Sequence, residues 1–279
     1  MIKGQKIKVL DCGSIEVVDW MGEDSDIVKA ARISTGASTK SSQEDERLID
    51  YLVEHEHTSP FEMCEIKLKL SMPIFIARQW MRHRTASINE FSGRYSEMKD
   101  EFYVPKEFRL QSQLNHQGSE GKVNEIQNDQ LQNSVIHHHL QTFQDYKKMI
   151  DLGVSREMSR IILPLSTYTS FFWKIDLHNL LKFLRLRMDP TAQEEIRVYA
   201  DEIWSLVQKW VPLTARSFEN HYLLSTKFSR VEVAVLRGAL LSLDEEHRSK
   251  IQKMIFDSKD LKKRHKDKMV DLLLTERIK

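Results

Sequence analysis

Arg82-His83-Arg84-Thr85-Ala86-Ser87-Ile88-Asn89-Glu90-Phe91-Ser92-Gly93-Arg94-Tyr95-Ser96 is the stretch on which the reading of this chain turns. These fifteen residues hold three arginines, a histidine, an asparagine, a glutamate and three serines. A solvated helix face mixes Lys with Glu and repeats every three or four residues. Here there is no lysine, and every cation except the histidine is a planar fork. Guanidinium forks match pairs of phosphate oxygens, Ser92 adds a hydroxyl, and Gly93 lets backbone N–H groups come close to an anion. The stretch reads as a nucleotide phosphate site.

Working outward, Ala77-Arg78-Gln79-Trp80 precedes it, and Arg82-His83-Arg84 is followed after seven residues by Ser92. In this form it resembles the signature of the flavin-dependent thymidylate synthases. His57-Thr58-Ser59-Pro60-Phe61-Glu62 is similar to the segment that precedes the signature in that family. The resemblance runs from about Lys6 to Phe218. It implies an α/β fold of the α+β kind, a mostly antiparallel sheet packed by helices, assembled as a homotetramer whose FAD sites draw on several subunits. It implies methylation of dUMP to dTMP, with 5,10-methylenetetrahydrofolate as carbon donor, NADPH reducing FAD, and no enzyme thiol.

Residue by residue, the resemblance assigns dUMP to Gln79, Trp80, Met81, Arg82, Glu90, Phe91, Ser92, Gly93, Arg94, Arg160 and Arg187. It assigns FAD to Ser34, Ser59, Glu62, Arg82, His83, Arg84, Asn89, Glu90, Asp176, His178 and Lys182, and puts His57 close to flavin and folate. Arg187, His57 and Ser92 are the expected catalytic groups. The Arg187 position is credited with stabilising the pyrimidine after N3 loses its proton, and a fixed guanidinium there would lower that pKa by Coulomb attraction. Ser92 reads as a phosphate or ring contact, since no paired His–Asp base is evident. Lys182 stands where many relatives carry neutral Asn or His, Thr191 where histidine is frequent, and Met63 replaces a common histidine.

Composition bounds the rest. With 279 residues and 41% apolar content the chain can bury one sizeable core, and a net charge of +1 gives no global attraction to nucleic acid or membrane. No apolar run is long enough to span a bilayer, and Met1 to Lys6 lacks a signal-peptide core, so a cytoplasmic protein is expected. Cys12 and Cys64 are too few for a disulfide framework. Cys64 is the obvious candidate for thiolate attack on a pyrimidine, but a strand thiol beside Glu65 has nothing to lower its pKa and reads as inert. His137-His138-His139 cannot share one helix face, and His55 and His57 have no second cluster, so no metal site is expected.

The elements follow from periodicity. Ile7–Leu10 and Ile15–Val18 predict a hairpin about Asp11-Cys12-Gly13-Ser14, and a short helix follows Asp24. The polar run from Thr35 to Ser42 reads as a mobile loop, with Ser42 beginning a capped helix over Leu48, Ile49, Leu52 and Val53. Cys64 to Leu70 alternates as a half-buried strand, and Pro73 opens a helix whose inner stripe is Ile74, Ala77 and Met81. Gln111 to Asn133 reads as an exposed loop or lid, followed by a helix from about Asn133 to Leu152 that Gly153 ends. Ser155 caps a short helix, Ser166 to Trp173 is β-prone, Asp176 caps a Leu-rich helix, and Asp189-Pro190 starts another.

The expected division is a catalytic domain over 1–220 and a charged helical extension over 221–279. Val231 to Lys279 reads as a solvated helical hairpin, because acidic residues alternate with the basic ones around Lys262 to Lys266. A runner-up activity, flavin- and folate-dependent methylation of uridine in RNA, would have to use those lysines as its basic surface.

Overall fold

The computed structural model describes residues 2–34, 36, 41–113, 115–259 and 261–274; the run read as a mobile loop falls mostly outside them. The chain divides into two compact units, Met1–Leu224 and Ser225–Lys279.

The first unit is built on a five-stranded antiparallel sheet in the order β1-β2-β3-β7-β4. The expected hairpin joins β1 (Lys6–Val9) to β2 (Gly13–Met21), Ile7 facing Ile15. Its turn is one step tighter than predicted, with Leu10 in the left-handed region at φ 57°. Strand β2 can begin at Gly13 because a Cβ there would stand 2.6 Å from the Val9 carbonyl and collide with the Tyr199 hydroxyl. Only glycine permits that approach. β3 (Glu65–Pro73) buries Ile66, Leu68 and Leu70 and exposes Lys67 and Lys69, as its alternation requires. β7 (Tyr168–Asp176) pairs with β3 along its whole length, and its other edge takes β4 (Ser87–Glu90).

The helices bury one face of this sheet. α1 (Asp24–Ile33), α2 (Ser42–Glu54) and α3 (Ser59–Glu62) precede β3. The cap of α2 is Ser41, one residue earlier than read, because Ser41 and Glu44 close a capping box. In α4 (Ile74–Trp80) the inner residues are Ile76, Ala77 and Trp80, which corrects the stripe Ile74, Ala77, Met81. The indole of Trp80 is the reason: it meets Phe183 at 4.4 Å and Trp173 at 5.1 Å between ring centroids, and this aromatic pack turns the helix.

Two further elements arise in the stretch read as a loop. β5 (Leu110–Gln111) pairs with β6 (Ser119–Glu120), and α5 runs Glu125–Asp151, starting eight residues before Asn133 because the Asn124 side chain accepts from Gln127 N. Gly153 follows with φ 82°, as the expected terminator. After α6 (Arg156–Ser159) and a 3₁₀ turn Arg160–Ile162 comes β7, then α7 (Leu177–Arg187), capped by Asp176 as read. α8 (Glu194–Trp210) follows an N-cap at Gln193 instead of starting at Asp189, whose carboxylate holds the Thr191 N–H at 2.8 Å in a turn. α9 (Pro212–Phe218) leads into a π-helical turn, Glu219–Leu223. Among its described residues the second unit holds three helices, α10 (Arg230–Leu241), α11 (Glu245–Asp257) and α12 (Lys263–Leu274), where a hairpin was expected.

Candidate functional site

The signature occupies the end of α4, the turn after it, and edge strand β4. Ser87 and Asn89 pair with Lys174 and Phe172, and Phe91 N donates to the Ser170 carbonyl at 2.8 Å, so the middle of the stretch is fixed to the sheet edge. Thr169 donates to the Glu90 carboxylate at 2.6 Å. Ser92 Oγ accepts from Arg94 N at 3.3 Å, and Gly93 is buried. A Cβ on Gly93 would stand 2.8 Å from Met98 Sδ and 3.2 Å from Arg160 Cδ, so the glycine is what lets Arg160 lie against the signature.

The end of α7 closes the group. Arg187 Nε donates to His83 Nε2 at 3.0 Å, and Arg187 Nη2 donates to the Gln79 carbonyl at 3.1 Å. Burial and the neighbouring guanidinium push the His83 imidazole down to about 4, so it is neutral at physiological pH and accepts from Arg187. Burial lowers Arg187 in turn. Arg94 pairs with Glu157 at 3.1 Å. Among the described residues Arg82, Arg84 and Arg160 have no ion pair, which leaves three forks open beside this cluster. The structure therefore links Arg187, His83 and Gln79 at the start of the signature, and sets Ser92, Gly93, Arg94 and Arg160 together at its end, with Glu90 held by Thr169 between them and Arg82 and Arg84 exposed. Met81 is half-buried against the core and Phe91 is partly exposed. Trp80, expected to touch the nucleotide, is wholly buried, so only its backbone could do so.

A second group lies elsewhere. A cavity of about 230 Å³ is lined by His57, His178, Lys182 and Arg185 on its polar side, and by Leu52, Phe61, Leu181 and Phe218 on its apolar side. His178, Lys182 and Arg185 follow at i, i+4 and i+7 and share a face of α7. Arg187, nine residues beyond His178, leaves the helix on the opposite side, where it meets His83. Burial, and then the Lys182 charge, lower the His178 imidazole. Both Asp176 oxygens are taken by Asn179, at 2.9 Å and 2.8 Å, so this residue serves as a cap first. Ser59 and Glu62 are exposed on α3. Ser34 donates to the Ala31 carbonyl at 2.8 Å at the end of α1.

The residues missed from sequence are Arg185, Tyr222 and Glu56, which line the same cavity. The spacing from Lys182 to Arg185 was the signal for the first. Nothing local marks Tyr222. Two sequence candidates turn out structural: His139 shares a 2.8 Å hydrogen bond with Ser166 and stacks on Phe102, and Cys64 is buried. Burial, and then Asp26 and its acidic neighbours, push the Cys64 thiol up to about 12, so thiolate is negligible near pH 7.

Open guanidinium forks at a helix end, tied to a sheet edge, define an anion-binding α/β protein suited to a nucleotide. Residues 16–213 match the family described as thymidylate synthase complementing protein, and the chain belongs to that family, the flavin-dependent thymidylate synthases. The flavin-dependent thymidylate synthase of Thermus thermophilus is 50% identical over 234 residues, covering 84% of this chain and 86% of the relative. That of Rickettsia prowazekii is 42% identical over 283 residues, covering 96% and 93%, so its match extends into Ser225–Lys279. Among solved structures, a UMP/dUMP methylase, PolB from Streptomyces cacaoi bound with 5-Br dUMP, superposes with a TM-score of 0.71 at 30% identity, over 79% of this chain and 100% of that one.

Proposed function

We propose that this chain methylates dUMP to dTMP, taking the carbon from 5,10-methylenetetrahydrofolate and using FAD reduced by NADPH, with no enzyme thiol bonded to the pyrimidine. The observation that carries the reading is the pairing of an inert Cys64 with a preorganised Arg187. Thiol attack needs a thiolate, and this thiol is held up at about 12. Arg187, fixed at 3.0 Å by a neutral His83, instead presents a guanidinium whose orientation is set before any ligand arrives.

In this reading Arg94, Ser92, Gly93 and Glu90 hold the monophosphate and ring of dUMP, aided by Gln79, the backbone of Trp80, Met81, Arg82, Phe91, Arg160 and Arg187. Arg94 would exchange its exposed Glu157 partner for phosphate, a small loss because surface pairs contribute only about 0–1 kcal/mol. Arg187 stabilises negative charge on the pyrimidine. Ser34, Ser59, Glu62, His83, Arg84, Asn89, Asp176, His178 and Lys182 are assigned to FAD, with His57 facing flavin and folate. The fit is one of chemistry: cations without counter-ions on one wall and apolar side chains on the other suit an aromatic dinucleotide. Bound there, the flavin would supply the hydride, while the chain binds, orients and neutralises charge.

His178 and Arg187 leave α7 on opposite sides, which supports sites shared between copies in a homotetramer. A light-scattering mass far from about four times the 32.9 kDa chain would contradict that assembly. No helix among the described residues is long and apolar enough to cross a membrane, and a cytoplasmic location is proposed. The RNA alternative has nothing in its favour: the named relatives are thymidylate synthases.

The test is spectroscopic. Purified protein given FAD should show flavin bands that bleach with NADPH without oxygen and return in air. Addition of dUMP and the folate should then yield dTMP. A colourless protein that still binds dUMP would reduce the reading to a nucleotide-binding module.

A further inference from the structure

The cavity beside α7 contains more positive charge than the residues assigned to it account for. His57, His178, Lys182, Arg185 and one carboxylate, Glu56, are the ionisable side chains on its wall besides Tyr222. Neither Lys182 nor Arg185 has an ion pair among the described residues, whereas Arg32, Arg94, Arg109 and Arg216 do. Glu56 makes no ion pair with either, and its Oε1 accepts from the Tyr222 hydroxyl at 3.2 Å.

Arg185 is held, although no salt bridge holds it. Its guanidinium carbon lies 5.0 Å from the centroid of the Tyr222 ring. That ring is fixed on three sides: it stacks on Phe218 at 5.3 Å, and its hydroxyl donates to the Val53 carbonyl and to Glu56, each at 3.2 Å. Glu56 takes a left-handed backbone, φ 56°, and Tyr222 lies on the π-helical turn, two uncommon conformations that meet at one hydrogen bond. Both kinds of feature concentrate at functional sites. A guanidinium held over a ring by cation–π attraction spends none of its N–H donors on a hydrogen-bond acceptor, so they are left for an anion.

At about 230 Å³ the cavity falls short of the roughly 300–1,000 Å³ usual for a whole small-molecule ligand, so it suits one end of a longer one. Two full cations against one carboxylate leave a net positive wall with two separate donors that calls for an anion able to reach both, and the wall formed by Leu52, Phe61, Leu181 and Phe218 calls for a flat apolar group beside it. A diphosphate next to an aromatic base meets both demands. We propose that Arg185, held over the ring of Tyr222, binds the diphosphate of the flavin dinucleotide in this cavity together with Lys182. The proposal rests on the flavin reading above and adds Arg185 and Tyr222 to it, the first touching the cofactor and the second positioning the first.

Flavin fluorescence titrations of the full-length apoprotein test it, with FAD and with riboflavin, which has no phosphate. Arg185→Gln should raise the FAD dissociation constant by about tenfold to a hundredfold and leave that for riboflavin unchanged. Tyr222→Leu should weaken FAD less, and Arg185→Lys should recover part of the loss. Thermal melting checks that each variant folds; should Arg185→Gln fail to fold, Arg185→Lys and Tyr222→Leu carry the comparison. Unchanged FAD binding in folded Arg185 variants, equal losses for FAD and riboflavin, or a loss confined to the folate would each overturn the proposal. Wild-type protein that takes up no FAD would overturn the flavin reading as well, and so the two failures are distinct.

Discussion

Arg187 and His83 fix each other's state. The imidazole must be neutral to accept from Arg187, and burial together with that guanidinium keeps it so, down to about 4. Because this lies below the ordinary value of 6.5, the neutral form contributes its stability in full above about pH 6.5, and the contribution is lost as pH falls toward 4. Proton chemical shifts of the imidazole should therefore show His83 titrating near 4, and the value should rise in Arg187→Gln, which removes one of the two causes. A His83 that titrates near 6.5 in the wild type would mean the pair is not formed. At this scale the sequence was readable where chemistry is carried by residue type. Arginine forks and small residues announced the signature, whereas Arg185 has no such mark, since a cation at a helix end has an ordinary electrostatic reason to be there.

Among the elements, Arg187 at the end of α7 ties to α4, and Gly93, just after β4, is where the signature meets Arg160 of the 3₁₀ turn. In Gly93→Ala the new Cβ would press on Met98 and Arg160 at 2.8 Å and 3.2 Å. Both neighbours are the flexible ends of side chains, so we expect a stability cost of about 1 kcal/mol, or roughly 2–4 °C in melting temperature. The larger effect should be a raised KM for dUMP as Arg160 is pushed off the signature. An unchanged KM would separate Arg160 from the nucleotide. Legibility varied with the strength of the local signal. The strict alternation of β3 and the Asp176 cap of α7 were read correctly, because each is written in consecutive residues. β4 was not, since four exposed residues carry no hydrophobic pattern and become a strand only by pairing with β7. The early start of α5 was missed for the same reason: its first turns are polar, and one side-chain cap at Asn124 decides them.

Over the whole molecule, the sheet carries the signature on its edge strand while the core beneath fixes α4 through Trp80, which meets Trp173 and Phe183. The antiparallel architecture followed from the family resemblance more than from any one pattern, and the three-helix form of Ser225–Lys279 was not legible, since charged helical periodicity does not count turns. What the architecture excludes is as informative as what it gathers. Cys64 is sealed under Gly22, whose added Cβ would sit 2.6 Å from its sulfur, and Cys12, though exposed, has its thiol pushed up by partial burial and by Asp11. The Cys64 thiolate is negligible at neutral pH, and Cys12 is shifted away from its thiolate as well. The direct measurement is dTMP formation by the double variant Cys12→Ala, Cys64→Ala, loaded with FAD and supplied with dUMP, methylenetetrahydrofolate and NADPH. The account predicts turnover within about twofold of the wild type, a barrier change below about 0.4 kcal/mol. A folded, FAD-loaded variant that binds dUMP yet makes no dTMP would contradict it.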